Sequence, residues 1–393
     1  MNYNFIVIIF LLFSLNSFSQ ETEYQKKIPL PTQWIEKIQN NLSEIYKELP
    51  QRPSEDSLPI LYQIISEFNH YISPDSIGID AYYHPYGNFL FANLDEDATP
   101  ELLCIIGFSF EETYFCVSKK INNQWYLIYK KPYIIEIGNQ PEIRLLNNNS
   151  SSKIFYMYHQ LDRGTGIYCD EYRFYKIINN KVFDVLHLLN KGWISSSWQL
   201  LFGQGFTMDF NVTSDMFCIT YNYYFSPGIP LQEYLYPDYS NWYSGDFLSG
   251  EFTVFHRWDT SSISYKIVDN DNTHKQYQTL YPFGNDSLIL RTFHDDIQKL
   301  DTIGTKEEKH LAMLCLAETY RTTLLENFTR WNWKLYQQKN DTLFFEKDTV
   351  FNKKKGLKFY TKGEYRFGTE KGKWKFDIQN SNVYIICSPH KKK

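Results

Sequence analysis

Between Trp34 and Leu49 the apolar side chains fall at helical spacing, at Trp34, Ile35, Ile38, Leu42, Ile45 and Leu49, until Pro50 and Pro53 break the run. A second stripe, Leu61, Ile64, Ile65 and Phe68, follows, with Pro59 tolerated in its first turn. Two short helices packed as a pair are predicted within 32–72, where they would cap a neighbouring sheet. From about Tyr82 to Leu290 the period changes to two: short segments rich in Tyr, Phe, Ile and Val alternate with Asn, Asp, Gly and Ser clusters, the pattern of strands and turns. Two of these segments echo one another. Phe115 to Lys130 reads FCVSKKINNQWYLIYK and Tyr172 to Leu188 reads YRFYKIINNKVFDVLHL, each with Ile-Asn-Asn at its turn, 57 residues apart. The stretch from Ile263 to Asn272 reads as a third, degenerate copy. After Gly304 the helical period returns, with Thr305 and Glu308 spaced as a capping box and an apolar stripe over Leu311, Leu314, Cys315, Leu324, Leu325 and Phe328. Alternating segments close the chain.

The fold class that follows is mainly β with helical flanks, an α+β chain around an antiparallel β-meander core. Its divisions are an export signal over 1–19, a helical pair over 20–75, a β-rich domain over 76–300, and a helix with a basic hairpin region over 301–393. The apolar run Phe5 to Leu15 is too short to span a bilayer, and Ser17 and Ser19 suit a signal peptidase, so the mature chain is expected to begin at Gln20. Exported placement follows, in the periplasm, at the cell envelope or outside the cell, with no transmembrane segment after cleavage. The first four residues carry no Lys or Arg, which leaves an uncleaved anchor as the alternative.

Charge adds an asymmetry that the net value of −5 hides. From Phe351 onward there are 12 basic and 3 acidic residues, a local +9 on a body of −14. An acidic body excludes a nucleic-acid-coating role. The basic end is either a solvated edge or a contact with an anionic envelope surface or polysaccharide. Aromatic residues make up 18% of the chain, and 13 of them fall within 221–259. Such density suits sugar-stacking platforms, and equally suits ordinary strands. Cys104 and Cys116 would face each other across two antiparallel strands if the chain reverses near Phe110, as a disulfide or as two buried thiols.

One loop carries candidate chemistry. Asn93, Asp95, Asp97 and Glu101 place oxygen-bearing side chains at alternating positions just before the apolar run Leu102 to Ile106, the arrangement a hard cation needs if one tight turn is to wrap it. An acidic loop feeding a strand and then an Asn-centred hairpin resembles the FG-GAP or VCBS-type repeats of exported β-propellers, over about residues 85–190. The resemblance implies a propeller-like or partial-propeller core, and calcium held by the side chains of Asn93, Asp95, Asp97 and Glu101 with the carbonyl of Thr99. The loop departs from that pattern at Glu96 and Ala98, where the repeats carry glycine, and Asn93 removes a negative charge. A turn without the ion and a weakly bound calcium are thus both open, and no other cofactor is expected. The run from Gly363 to Phe376 resembles a single MORN-type hairpin.

No GxSxG, Walker, paired-glycine or HExxH signature is present. His294-Asp295-Asp296 reads as a polar loop and Asp162-Arg163-Gly164-Thr165-Gly166 as a turn. The expected function is an exported, non-enzymatic binding or scaffolding protein of the envelope. The alternative is a glycan-active hydrolase, suggested by the aromatics of 221–259 with Asp238, Asp246 and Glu251 among them.

Overall fold

The computed structural model describes residues 27–48, 59–72, 86–107 except 96, 113–133, 142–146, 153–195, 201–229 except 214, 245–309 except 269, then 311, 312 and 315, and the strand segments 334–339, 342–346, 360–364, 376–379 and 382–385. The expected export signal and most of the basic C-terminal segment lie outside the described residues. The chain is mainly β with helical flanks, and its two large sheets are antiparallel, with no closed barrel.

Strand β1 (Ile28–Leu30) leads into α1 (Thr32–Glu48) and α2 (Pro59–Ile72). The two apolar stripes meet: Trp34 stacks on Phe68 with ring centroids 4.1 Å apart and donates its indole N–H to the carbonyl of Ile64 at 2.9 Å. Beneath them lies a five-stranded sheet of order β1-β5-β4-β3-β2, in which β2 is Tyr86–Ala92, β3 Glu101–Gly107, β4 Thr113–Ile121 and β5 Gln124–Pro132. Phe89, Leu102, Cys104, Ile106, Cys116 and Leu127 pack with the helices, while Leu103, Ile105, Phe115, Val117 and Tyr129 turn the other way. Every residue of β3 is buried, which is why its sequence reads as a continuous apolar run rather than an alternation. Cys104 and Cys116 are direct register partners, and both thiols are free. The disulfide reading is therefore not realised.

The second sheet is a meander of eight strands: β6 (Ile143–Leu145), β7 (Ile154–Gly164), β8 (Ile167–Ile178), β9 (Lys181–Ile194), β10 (Phe202–Val212), β11 (Met216–Pro227), β12 (Leu248–Asp259) and β13 (Ser264–Ile267). The two Ile-Asn-Asn hairpins are β4–β5 and β8–β9. Asn122, Asn123, Asn179 and Asn180 all have positive φ, 51°, 66°, 52° and 60°, the tight two-residue turn whose twist matches that of paired strands and which Asn tolerates. The hairpins belong to different sheets and bury their apolar faces against one another. The Phe115 ring lies 5.4 Å from Tyr175 and 5.8 Å from Phe155, and Tyr175 stacks on Phe155 at 5.4 Å.

Helices α3 (Asp271–Leu280), α4 (Asp286–Thr292) and α5 (His294–Ile303) follow β13. Leu280, Ile289, Leu290, Phe293 and Ile297 join one core with Phe206, Tyr221, Phe225, Phe252 and Val254 of the second sheet. Three expectations change here. Strand character ends at Ile267 rather than Leu290. The supposed third hairpin copy is an edge strand followed by Asn270 as N-cap of α3, and His294-Asp295-Asp296 is the first turn of α5, where carboxylates meet the positive end of the helix dipole. These helices are one or two turns of buried contact each, with only Thr279 and Leu280 buried in α3, so no long apolar stripe announces them. The capping box forms as its spacing predicts: Glu308 N–H donates to Thr305 Oγ1 at 3.2 Å and Thr305 N–H to Glu308 Oε2 at 2.6 Å. Beyond it, β14 (Lys334–Lys339), β15 (Thr342–Glu346) and β16 (Tyr360–Glu364) form a three-stranded sheet, and β17 (Phe376–Gln379) pairs with β18 (Asn382–Ile385). No helix among the described residues is long and apolar enough to cross a membrane.

His256 on β12 is 4% exposed, lies 6.1 Å from the Tyr277 ring of α3, and its Nδ1 has no hydrogen-bond partner. Burial lowers its pKa to about 4. The unfolded imidazole takes up its proton near pH 6.5 while the folded one resists until about 4, so this group's contribution is present above pH 6.5 and is lost as pH falls towards 4. At 1.36 kcal/mol per pKa unit the loss reaches up to ~3 kcal/mol. Denaturant titrations at pH 7.5, 5.5 and 4.5 are expected to show a steep acid loss of stability that His256→Phe flattens. An unchanged slope in the variant would assign the acid sensitivity to other groups, with buried His159 first among them.

Candidate functional site

The acidic loop joins β2 to β3. Ala92 pairs with Glu101 across the loop, and Leu102 pairs with Ser118 of β4, so Glu101 sits next to Lys119 in the ladder. The loop is shaped by its own side chains. Asp95 Oδ1 accepts the N–H of Asp97 at 3.0 Å, Asp97 Oδ1 that of Thr99 at 2.7 Å, Glu101 Oε2 that of Leu94 at 2.7 Å, and Asn93 Nδ2 donates to the carbonyl of Asp97 at 2.5 Å. Asp and Asn favour such turns because the short side chain reaches the backbone two residues on. Ala98 is not among the described residues with positive φ, so at that position the loop avoids the left-handed conformation that the repeats it resembles give to glycine.

Asp95, Asp97 and Glu101 do converge, with carboxylate oxygens all within 4.8 Å of one another. What they converge on is an ammonium. Lys119 Nζ donates to Asp97 Oδ2 at 2.6 Å, to Glu101 Oε1 at 2.7 Å and to Asp95 Oδ2, using all three of its donors. Lys153, at the start of β7 in the other sheet, donates to the Asp95 carbonyl at 2.7 Å and to Asn93 Oδ1. Thr99 takes part only through its N–H. The Lys119 side chain is 2% exposed and Glu101 is fully buried. Burial opposes the charged amine of Lys119, yet its hydrogen bonds to the three carboxylates push its pKa above the ordinary value. The hydrogen bond from Lys119 holds Asp97 below the usual carboxylate range, whereas burial pushes Glu101 up against the pull of the same amine. Calcium does not fit this loop while Lys119 stands in its centre: a dication would meet a buried cation already bonded to every carboxylate it needs. The spacing of the loop residues was visible in the sequence. Lys119 and Lys153 were not, because nothing in a single sequence connects them to residues 18 to 60 positions away.

The second candidate region is the face of β10, β11 and β12 opposite the helices. Tyr224 lies across Gly205, where an added Cβ would come within 2.0 Å of its ring, and Thr207, Asn222, Tyr223, Tyr224, Asp246, Ser249, Gly250 and Glu251 line a groove of about 440 Å³. Two of the three carboxylates singled out from the aromatic-rich segment, Asp246 and Glu251, thus share one groove, and Asp238 lies outside the described residues. Tyr224 and Phe255 remain 39% and 40% exposed, and Trp193 on β9 38%. His294, Asp295 and Asp296 do not join the groove lining.

The chain matches no protein-family model, no curated protein and no solved structure.

Lys119→Met is expected to destabilise the fold by about 3–5 kcal/mol, because it leaves the fully buried Glu101 carboxylate, with the half-buried Asp95 beside it, without their cation. Adding Glu101→Gln to that variant should recover part of the loss, since the second substitution removes one of the stranded charges. Calcium and chelator should leave the wild-type melting temperature unchanged. Urea unfolding of the wild type, Lys119→Met, Glu101→Gln and the double variant checks the first two, and thermal melts of the wild type with calcium and with chelator check the third; a wild-type melting temperature that climbs with calcium would mean that the ion displaces the amine.

Proposed function

We propose that this chain is an exported, non-enzymatic binding or scaffolding protein of the cell envelope, and that it meets its ligand on the open face of β10–β12. The observation that carries the reading is the groove beside Tyr224: a solvent-facing strip of the sheet, with aromatic and polar side chains side by side and its underside fixed by three helices. A site held on paired strands is preorganised, so little ordering opposes binding. None of the eight residues lining the groove is His, Cys, Lys or Arg, so the lining offers no imidazole, thiol or cationic side chain. The acidic loop belongs to the scaffold under this reading, with Lys119 and Lys153 supplying its positive charge from within. The basic segment from Phe351 would add a second, charge-based contact with anionic envelope polymers.

One observation favours the hydrolase alternative. Asp246 and Glu251 line the same groove, and a pair of carboxylates is the minimum equipment for cleaving a glycosidic bond. The two readings separate in one experiment. The mature chain from Gln20 should co-sediment with isolated cell-envelope fractions at physiological salt, Asn222→Ala should weaken that association several-fold, and long incubation should release no reducing ends. Reducing ends that disappear in Asp246→Asn or Glu251→Gln would establish the hydrolase. Absence of co-sedimentation would remove the binding role.

A further inference from the structure

The register of the second sheet places side chains in rows that run across the strands, because directly opposed residues of paired strands point to the same face. One row is Tyr168 of β8, Trp193 of β9, Gly205 of β10, Tyr224 of β11 and Ser249 of β12. The next row, two residues along each strand, is Asp170, Lys191, Thr207, Asn222 and Glu251. An aromatic row and a polar row therefore lie side by side on one surface.

We propose that this double row is a binding site for a linear, uncharged polysaccharide laid across the strands, with sugar rings stacked on Trp193 and Tyr224 and their hydroxyls met by the polar row. The inference rests on the binding role proposed above and adds the ligand's chemical class. The C–H face of a pyranose ring is apolar and stacks on the electron-rich face of an aromatic ring, while its rim of hydroxyls needs donors and acceptors to one side. Both halves of that requirement are present. Gly205 has no side chain, so the Tyr224 ring lies down over the sheet between its own strand and that of Trp193. The strands that carry Trp193 and Tyr224 are about 10 Å apart with β10 between them, and the Tyr224 ring reaches over Gly205 of β10 towards Trp193. Their geometry is fixed in advance. Trp193 stacks on Tyr168 at 6.4 Å and 22°, the Tyr168 hydroxyl donates to Asp170 Oδ2 at 2.6 Å, and Asp170 Oδ1 is held by the Lys191 N–H at 2.8 Å and by Asn190 at 3.1 Å.

Charge selects among polymers that stack on aromatic rings. Single-stranded nucleic acid needs a positively charged track. Here the described residues lining the groove beside Tyr224 include Asp246 and Glu251 and no Lys or Arg, and the polar row places the Lys191 ammonium and the Glu251 carboxylate on either side of the uncharged Thr207 and Asn222. An anionic polysaccharide would meet the same repulsion.

Affinity electrophoresis of the mature chain through gels holding glucomannan, xyloglucan, dextran or laminarin tests the inference, with alginate and a single-stranded oligonucleotide for comparison. At least one uncharged polymer should retard the wild type. Trp193→Ala and Tyr224→Ala should each weaken that retardation tenfold or more without shifting the melting temperature. Phe255→Ala, equally exposed but outside the row, should leave it unchanged. Retardation by no uncharged polymer, by alginate or the oligonucleotide alone, or to the same extent in the row variants, overturns the proposal. A chain that still sediments with envelope fractions under those results keeps its binding role and loses only this ligand; one that does neither loses both.

Discussion

The contact on which most of this architecture depends is the one between the two Asn-turned hairpins. Phe115 and Tyr129 of β4–β5 meet Phe155, Tyr175, Ile177 and Val182 of the eight-stranded sheet in a single buried cluster, and aromatic side chains bury more apolar surface per residue than any others. Once that face of the five-stranded sheet is committed, its other face must be covered by something else, and α1 and α2 supply the cover. The same contact brings the start of β7 against the β2–β3 loop, which is how Lys153 of one sheet comes to bond Asn93 and Asp95 of the other. Sheet packing and loop electrostatics are thus one construction, and the loop works as a polar clasp at the border of an apolar interface.

That clasp shows where sequence reasoning reaches and where it stops. Asn93, Asp95, Asp97 and Glu101 could be singled out because the oxygen atoms come from one short segment, and a local spacing is visible in a single chain. The identity of the cation they surround could not be, because the charge comes from β4 and β7. A buried ammonium and a bound dication answer the same need, the neutralisation of carboxylates gathered in low dielectric, and local sequence cannot tell one from the other. The backbone agrees at one position: Ala98 stands outside the left-handed region, and the turn around it is held by the side chains of Asp95 and Asp97.

The fold was legible in proportion to the length of its repeats. The α1 and α2 stripes, the strand-rich centre and both Ile-Asn-Asn turns each rest on several residues that agree, and each appears where its period places it. The helices from Asp271 to Ile303 were hidden because each is short and shares its buried residues with the sheet it covers, so the apolar positions come singly, at Leu280, Ile289, Leu290, Phe293 and Ile297. Strands leave the same gap at a larger scale. The richness of 221–259 in aromatics was plain, but which rings would stand in line depended on register between β8, β9, β10 and β11, and Tyr168 and Trp193, both outside that segment, belong to the line as much as Tyr224 does.

Register also bears on whether the open face binds or cleaves. On the reading proposed above, an aromatic row that crosses the strands would spread a chain's contacts over β8, β9 and β11 and distinguish no single bond. Cleavage asks for the opposite: two carboxylates placed on either side of one bond, one of them kept protonated by its surroundings. Glu251 stands in the polar row as one of several hydrogen-bonding side chains, with Asn222 directly opposite. Burial holds the Asp170 carboxyl on this face above its ordinary pKa, and its oxygens are occupied by Tyr168, Asn190 and the Lys191 N–H. That carboxyl is thus spent on holding the Tyr168 and Trp193 platform in place.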